Sequence, residues 1–368
     1  MSRSNVLSTD EAIENLISTF NELNSNSIDE LHDEPSPLEF MRYVARNTPF
    51  VIRGGASSWK ACRDWNSAYL LSVMKGQNVN VAVTPYGLVP SAGYEQRKEP
   101  FADSDDSNAD MPTVPPGEES MVFAKPHYED QPFEELLEYV ARQGADPDFP
   151  PDAEVRYAQT RKLAYFSPGA FTDCPRENDN LREEYITLFS DVQKDIPFAR
   201  IALDKCPDAV NLWIGNSKSV TAMHKDNYEN IYVQILGRKH FVLLPSLCHP
   251  CVNEQPLKAA TYTRGENGME LKIDDTYDEA VPFAIWDPDR PEQNATKFSH
   301  LAQPLRVTLN PGDMLYLPAM WYHKVLQSCA EEDEGFVLAV NYWYDLDFTG
   351  PLYPTSTFVR DMSLGNRK

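Results

Sequence analysis

The sequence lacks the features of a secreted or membrane-embedded protein. None of its apolar runs reaches the roughly 18 residues that a membrane span requires. The first residues, MSRSNVLSTDEAIENL, have no basic start, apolar run and small-residue cleavage site, so no signal peptide is predicted. These absences predict an intracellular protein without membrane contact, located in the cytoplasm, with the nucleus left open.

Cysteine is scarce as well, with 6 residues in a chain of 368. Their irregular spacing excludes the dense disulfide framework of small secreted domains. Cys248 and Cys251 form one C-x-x-C pair, but no second pair of ligands at similar spacing accompanies it. Ordinary thiols are therefore favoured over a structural zinc site. The cysteines are Cys62, Cys174, Cys206, Cys248, Cys251 and Cys329.

Basic residues are few relative to acidic ones. The chain has 33 Lys and Arg against 56 Asp and Glu, which gives a net charge of −23. A strongly acidic surface repels phosphate backbones, so direct nucleic-acid binding is excluded as an expectation. The charge fits a basic protein partner, and it fits equally well a role in solubility alone.

Four segments follow from the composition. We predict an N-terminal helical and acidic extension at 1–35, an α/β region at 36–206 that supports a barrel and contains an acidic, Pro-rich loop at 91–120, a β-barrel catalytic core at 207–348, and a C-terminal tail at 349–368. Apolar periodicity predicts helices after Thr9 and at 67–74, 132–142 and 181–192, and strands at 49–54, 79–83 and 163–167.

The second half of the chain has the texture of an all-β fold. Short segments rich in aromatic and β-branched residues alternate with Gly and Pro turns, which is typical of a β-sandwich or barrel. The predicted strands are 211–215, 229–236, 239–245, 305–310, 314–318, 323–327 and 336–344.

The candidate metal ligands start with the sequence Thr221-Ala-Met-His224-Lys-Asp226. Side chains alternate faces along a strand, so His224 and Asp226 are expected to project to one side and Lys225 to the other. An imidazole nitrogen and a carboxylate oxygen then lie side by side. Such an H-x-D pair is weak evidence alone, because a solvated pair has the same pattern.

A third ligand is expected from the segment that ends at His323. Pro311-Gly312 forms a tight turn before a strand, and the histidine follows a break at Pro318. His224, Asp226 and His323 together match the two-histidine, one-carboxylate triad of non-haem Fe(II) oxygenases. Such a triad leaves positions open for a chelating 2-oxo acid and for O₂.

Lys239 is a candidate for binding the distal carboxylate of a 2-oxo acid. It lies in a hairpin strand, in phase with Phe241 and Leu243, and a lysine among core residues requires an anionic partner. If His240 and Val242 face inwards instead, Lys239 is solvated. Alternation alone leaves both readings open.

Two segments carry a family resemblance. Residues 207–245 contain H-K-D-N-Y-E-N and G-R-K-H-F, and residues 303–345 contain P-G-D-M-L-Y-L-P-A-M-W-Y-H and V-N-Y-W-Y-D. There the chain resembles the jumonji-C family of Fe(II)- and 2-oxoglutarate-dependent oxygenases. It is most similar to the small protein hydroxylases, in particular the lysyl hydroxylase type that acts on GTP-binding proteins. Weaker similarity extends from about Pro37 to Phe348.

The resemblance implies a mainly β fold: a double-stranded β-helix, jelly-roll or cupin-like, with flanking N-terminal α-helices. It also implies Fe(II), 2-oxoglutarate and O₂ as cofactors and a lysine in a GTP-binding protein as the target. It assigns His224, Asp226 and His323 to the metal as the catalytic residues. The implied 2-oxoglutarate contacts are Lys239, Thr221, Tyr165, Asn230 and Asn341.

Three alternatives stay open beside the hydroxylase. A lysine demethylase uses the same metal core, although no Cys/His zinc array accompanies it here. A metal-dependent protease can use two histidines and an aspartate to hold zinc, but the chain has no H-E-x-x-H and Lys239 then has no role. A binding module without activity is disfavoured by the intact triad. A homodimer is a further open possibility.

Overall fold

The computed structural model describes residues 7–85, 111–113, 121–158, 179–266, 268–274, 280–330 and 332–365. Three predictions fall wholly or mostly outside these residues. The strand at 163–167 and the candidate Tyr165 lie outside them, as does the loop at 91–120 apart from 111–113, which form a short strand.

Helices occur mainly in the first half of the chain. The first one begins where the sequence predicts it, because Ser8 and Glu11 form a capping box around its first turn. The next begins at Pro37 behind the N-cap Ser36. The helices are α1 Thr9–Leu23, α2 Pro37–Arg46, α3 Lys60–Asp64, α4 Ser67–Val73, α5 Phe133–Ala145, α6 Pro197–Leu203 and α7 Leu352–Gly365. No helix among the described residues combines the length and the apolar character that crossing a membrane demands.

The predicted helix at 181–192 is wrong. This segment forms turns and a 3-10 helix, Phe189–Asp191. The Asn180 side chain pairs with both backbone groups of Leu212, and the Leu181 amide donates to the Val210 carbonyl. These bonds tie the start of the segment to a neighbouring strand, so a regular helical ladder does not form. Other 3-10 helices are Ser246–Cys251 and Ser299–Leu301.

Strands dominate the rest of the described chain, and those predicted at 211–344 are confirmed to within one or two residues. The strands are β1 Asp29–Leu31, β2 Phe50–Ile52, β3 Asn78–Thr84, β4 Met111–Thr113, β5 Val122–Lys125, β6 His127–Pro132, β7 Val155–Ala158, β8 Ala209–Gly215, β9 Thr221–Lys225, β10 Tyr228–Leu236, β11 Arg238–Leu244, β12 Glu254–Gly265, β13 Gly268–Ile273, β14 Val281–Ala284, β15 Leu305–Leu309, β16 Met314–Leu317, β17 Tyr322–Ser328 and β18 Val337–Asp345.

Two sheets face each other and form the predicted double-stranded β-helix. The larger has the order β1-β2-β16-β10-β18-β8-β7-β3-β6, and the smaller has the order β15-β11-β17-β9. One apolar cluster contains residues of both, including Trp213 and Tyr232 from the larger sheet and Phe241, Leu243 and Val325 from the smaller. This cluster is the barrel interior, and it encloses the candidate site.

Each sheet is covered on its outer side. Helices α2, α4, α5 and α6 contribute to the cluster that packs on the back of the larger sheet. The back of the smaller sheet is covered by α1 and the 3-10 helix at 246–251. The segment predicted as a C-terminal tail contains α7, which also contacts that 3-10 helix. Strands β4, β5, β12 and β13 form a third sheet, and β14 pairs with β12.

Candidate functional site

The triad residues are brought together by the antiparallel pairing of β9 with β17. His224 and His323 are directly opposite each other in the register, and Asp226 follows the end of β9. All three side chains are buried. Their ligand atoms lie within 4.8 Å of one another, and this is the only group of His, Cys, Asp and Glu with metal-ligand spacing among the described residues.

The turn before β16 is held by the side chain of Asp313. Its carboxylate accepts from the amides of Gly54 (2.9 Å) and Asn310 (3.0 Å) and from Arg53 (2.7 Å). Gly312 adopts φ +89°, a conformation that L side chains rarely take. The Pro-Gly-Asp motif therefore anchors this edge of the barrel to β2, and the chain continues through β16 towards His323.

Hydrogen bonds to the backbone fix both imidazoles in one tautomer. His224 Nδ1 lies 2.8 Å from the Ala222 carbonyl, and His323 Nδ1 lies 3.1 Å from the Trp321 carbonyl. A carbonyl only accepts, so each Nδ1 bears the proton and each Nε2 keeps its lone pair. The Nε2 atoms lie 3.9 Å (His224) and 3.6 Å (His323) from the Asp226 carboxylate.

The electrostatics of the cluster favour a neutral imidazole at His323. Burial lowers the pKa of His323 well below its usual range, and the neighbouring His224 lowers it further. His224 Nε2 is buried and has no hydrogen-bond partner among the described residues. Two imidazole lone pairs and a carboxylate oxygen that converge in a buried space match the donor set of a non-haem Fe(II) site.

Lys239 lies inside the barrel, which answers the question that alternation leaves open. Only 1% of its surface is exposed. Its amino group donates to the hydroxyls of Tyr157 (3.0 Å) and Tyr232 (2.8 Å). Leu243, four positions along β11, pairs with His323, so about 13 Å of strand separates the lysine from the metal level.

Tyr157 and Tyr232 are site residues that sequence reasoning missed. Tyr157 lies in the short β7, and its ring occupies the space where a Cβ on Gly215 would stand, 2.4 Å from the nearest ring carbon. The glycine in N-L-W-I-G is therefore the sequence signal for a bulky neighbour at that position. The predicted tyrosine contact, Tyr165, lies outside the described residues and stays a prediction.

The predicted amide residues line the same interior. Asn341 donates to Asn230 (3.3 Å) and accepts from the Trp213 indole (3.1 Å). Asn211 pairs with Asn341 in the register and is fully buried, and neither amide atom of Asn211 has a hydrogen-bond partner among the described residues. Thr221 is buried at the start of β9, opposite Val325. Sequence reasoning missed Asn211, whose unpaired amide costs about 1–3 kcal/mol unless a ligand or water satisfies it.

The outer face of the paired strands β9 and β17 carries two lysines, Lys225 and Lys324. Lys324, next to His323, lies 2.6 Å from Asp287 and 2.9 Å from Asp289. Lys225, between the other two ligands, lies with its amino group 5.1 Å from the centre of the Tyr322 ring. These side chains therefore take no part in the donor set on the inner face.

The remaining histidines and the C-x-x-C pair lie in other contacts. His240 bonds to Thr308 and Ser328, and His249 bonds to Ser363. Cys248 and Cys251 are buried thiols in a 3-10 helix. Within the described ranges, the C-x-x-C pair does not belong to a group of three or more side chains with metal-ligand spacing.

Comparison with known proteins places the chain in a family. A model described as a cupin-like domain matches residues 35–350. The lysine-specific demethylase JMJ32 of Arabidopsis thaliana is 33% identical over 91% of this chain and 87% of its own length. The human bifunctional peptidase and (3S)-lysyl hydroxylase JMJD7 is 31% identical over 86% of this chain and 84% of its own length. The JmjC domain-containing protein E of Dictyostelium discoideum is 28% identical over 86% and 83%.

The family match at residues 35–350 includes strands β2 to β18 and both segments that carry the triad. The chain therefore belongs to the cupin-like, jumonji-C family of Fe(II)- and 2-oxoglutarate-dependent oxygenases.

Proposed function

We propose that the chain is a protein hydroxylase that uses Fe(II), 2-oxoglutarate and O₂ to hydroxylate a lysine side chain of a basic protein, in particular a GTP-binding protein. The observation that carries the proposal is that one barrel interior holds both a buried His-Asp-His donor set and a buried lysine. The amino group of Lys239 donates hydrogen bonds to the hydroxyls of Tyr157 and Tyr232. It lies near the end of β11 that is distant from the metal ligands.

The chain's own residues would hold the iron and 2-oxoglutarate in place, supply a positive charge and exclude water. His224, Asp226 and His323 would hold the iron, and Lys239 would pair with the distal carboxylate of 2-oxoglutarate, assisted by the two tyrosine hydroxyls. Thr221, Asn230 and Asn341 would line the cosubstrate pocket. When bound, the iron and its cosubstrate supply the oxidising chemistry that breaks a C–H bond. The aromatic interior, including Trp213 and Trp343, keeps water from that reaction.

The choice of substrate rests on charge and on the relatives. The net charge of −23 favours a basic partner, because opposite charges raise the rate of encounter. One relative is named a lysyl hydroxylase and another a lysine demethylase, and both names specify lysine. The metal ligands are common to both reactions, and the resemblance of the segments around His224 and His323 to small protein hydroxylases makes hydroxylation the first candidate.

Ligand-dependent stability tests the proposed site. We would measure the melting temperature with Mn²⁺ as an inert substitute for Fe²⁺, with 2-oxoglutarate, and with both. A ligand that binds only the native state raises its stability by mass action. We expect the effect of 2-oxoglutarate to require the metal and to vanish in His224→Ala. Stabilisation by metal alone, with no effect of 2-oxoglutarate, would overturn the oxygenase proposal.

The product then identifies the reaction. A GTP-binding protein incubated with the Fe²⁺-loaded enzyme, 2-oxoglutarate and O₂ is expected to gain one oxygen atom on a lysine, while 2-oxoglutarate is converted to succinate and CO₂. Mass spectrometry of the peptides detects the added oxygen. Release of formaldehyde from a methyl-lysine peptide would establish a demethylase instead. New peptide termini without oxygen uptake would establish a peptidase.

A further inference from the structure

A tight turn at 318–321, here called the ligand turn, connects β16 to β17 and positions His323. Its residues are Pro318, Ala319, Met320 and Trp321. Met320 adopts φ +67°, a left-handed conformation that is unfavourable for a residue with a long side chain. The surrounding structure must therefore hold this conformation in place.

The ligand turn is bonded directly to the metal ligand Asp226. The Met320 amide donates to the Asp226 carbonyl at 2.7 Å. Since the turn also leads into His323, its position sets the separation of two of the three ligands. Any shift of the turn would move the Asp226 backbone relative to β17.

One side of the turn is held by Glu229, three residues after Asp226. Its carboxylate oxygen Oε2 accepts from the Ala319 amide at 3.1 Å and from the Tyr316 hydroxyl at 2.6 Å. Glu229 has 5% exposure, and burial raises the pKa of its carboxyl above the usual value. Two consecutive amides of the ligand turn therefore bond to the segment at the start of β10: the Ala319 amide donates to Glu229, and the Met320 amide donates to Asp226.

The other side of the turn is held by Asn47, which ends helix α2. The side-chain amide of Asn47 donates to the Ala319 carbonyl at 3.1 Å. The Trp321 indole donates to the backbone oxygen and to the side-chain oxygen of Asn47, each at 2.8 Å. Asn47 has φ +50°, a left-handed cap conformation that asparagine tolerates better than most residues. Glu229 therefore binds the backbone amide of Ala319, and Asn47 binds its carbonyl.

From this arrangement we infer that Glu229 is a positioning residue of the metal centre, acting through the ligand turn, with Asn47 as its counterpart. The inference deepens the proposed function and rests on it, since it concerns the same metal site. Among the described residues, the hydrogen bonds to the Glu229 carboxylate come from Tyr316 and Ala319 and from none of the three ligand side chains. Glu229 fixes the backbone that carries them, so its loss should weaken metal binding more than its contribution to folding explains.

A second buried carboxylate provides a matched control. Asp191 also has 5% exposure and accepts from a tyrosine hydroxyl, that of Tyr69, at 2.6 Å. Its other donors are Lys60, the first residue of α3, Trp65, which follows that helix, and the neighbouring Ser190. Removing either carboxylate leaves buried donors unsatisfied, but only Glu229 contacts the ligand turn.

The experiment measures the dissociation constant of Mn²⁺, from the electron paramagnetic resonance signal of the free ion, for the full chain and its variants. We expect Glu229→Ala to weaken Mn²⁺ binding about tenfold or more, in the range found when groups that orient metal ligands are removed. Glu229→Gln keeps an acceptor oxygen and should stay within about threefold of the unchanged chain. Asp191→Ala should lower the melting temperature while its Mn²⁺ affinity stays within about twofold.

Asn47→Gly tests the same inference if Glu229→Ala does not fold. Glycine keeps the left-handed cap conformation and removes both side-chain contacts to the turn. We expect Mn²⁺ binding to weaken about threefold or more. Equal Mn²⁺ affinity in Glu229→Ala and Asp191→Ala would overturn the inference, as would failure of Glu229→Gln to restore binding or unchanged affinity in Asn47→Gly. An unchanged chain that binds no Mn²⁺ would instead contradict the proposed function.

Discussion

The inner and outer faces of the paired strands β9 and β17 differ in how their charged groups are arranged. On the outer face, Lys324 contacts two aspartates at 2.6 and 2.9 Å, and Arg360 of α7 contacts Glu254 at 2.8 Å. On the inner face, the Asp226 carboxylate lies 3.6 and 3.9 Å from two imidazoles, which are separations longer than hydrogen bonds.

The difference separates groups that stabilise the fold from groups arranged for a ligand. Burial alone would lower the pKa of Lys324, but Asp287 and Asp289 raise it above its usual value, so the charge of this lysine is balanced by its two partners. On the inner face, burial keeps His323 neutral, and its lone pair points towards the carboxylate. Substitutions on the two faces should therefore have different kinds of effect.

The largest effect is expected from removing an inner-face ligand. His323→Ala should abolish turnover and weaken Mn²⁺ binding at least about a hundredfold, because one of three ligands is lost. Titration of Mn²⁺ followed by paramagnetic resonance measures this loss. The neighbouring outer-face variant Tyr322→Phe should retain Mn²⁺ binding. Similar metal affinities for the two variants would break the distinction between the faces.

Two buried lysines on adjacent strands extend the comparison to the cosubstrate. Lys239→Met should raise the 2-oxoglutarate concentration needed for half-maximal stabilisation by about tenfold or more, because a charged hydrogen-bonded contact with the distal carboxylate is lost. Lys324→Met should leave that concentration unchanged and lower the melting temperature. An equal 2-oxoglutarate requirement in both variants would show that Lys239 does not contact the cosubstrate.

A smaller effect is expected from Tyr157→Phe, which removes one hydroxyl beside Lys239. The 2-oxoglutarate requirement should rise about fivefold, the equivalent of one hydrogen bond. Isothermal titration in the presence of Mn²⁺ measures it. Tyr139→Phe is the control, because the Tyr139 hydroxyl bonds to the Glu154 carbonyl and not to Lys239. An unchanged 2-oxoglutarate requirement in Tyr157→Phe would show that this hydroxyl does not contribute to cosubstrate binding.

The outer face should respond to pH through Glu254. Burial alone would raise the pKa of this carboxyl, but His249, 3.3 Å away, and the hydrogen bond from Arg360 outweigh burial and lower it from 4.5 to about 2. The stabilisation is therefore present above the unfolded value near 4.5 and is lost as the pH falls towards about 2. Arg360→Met should lower the free energy of unfolding at neutral pH by about 1–3 kcal/mol. It should also flatten the acid dependence, as measured by denaturant unfolding at several pH values.

The smallest effect is expected from the hydroxyl of Tyr322 itself. This buried hydroxyl has no hydrogen-bond partner among the described residues. Tyr322→Phe should therefore change the free energy of unfolding by less than about 0.5 kcal/mol, because no hydrogen bond is lost. A larger loss, measured by the same unfolding experiment, would reveal an interaction of this hydroxyl with bound water.

The strands and ligands of the core were predictable because their signals are local. A Pro-Gly turn, strict alternation and an H-x-D pair each act within a few residues, so the positions of His224 and His323 on paired strands follow from pattern. The pairing of Lys239 with Tyr157 was not predictable in the same way. Tyr157 lies in a four-residue strand that carries no ligand motif, and it reaches the site only through long-range sheet order.

The errors have a similar physical origin. The segment at 181–192 has apolar residues at helical spacing, but side-chain bonds from Asn180 to β8 override that preference. Helix α7 lies in the segment 349–368, which is predicted as a C-terminal tail. Its sequence, LYPTSTFVRDMSLG, contains a proline and several β-branched residues, which lower the local preference for a helix. Its docking contacts, including Arg360 with Glu254, are made with residues about a hundred positions earlier in the chain.

The meeting of α1 and α7 behind the smaller sheet has a consequence for folding on the ribosome. Helix α1 contacts α7 and the 3-10 helix at 246–251, and Asn21 bonds to the Leu301 carbonyl. The apolar side of α1 is therefore covered only after residues near 301 and 352–365 have been synthesised. Contacts between such distant residues slow folding and leave apolar surface exposed during translation. Nascent chains released before α7 should thus be favoured clients of chaperones.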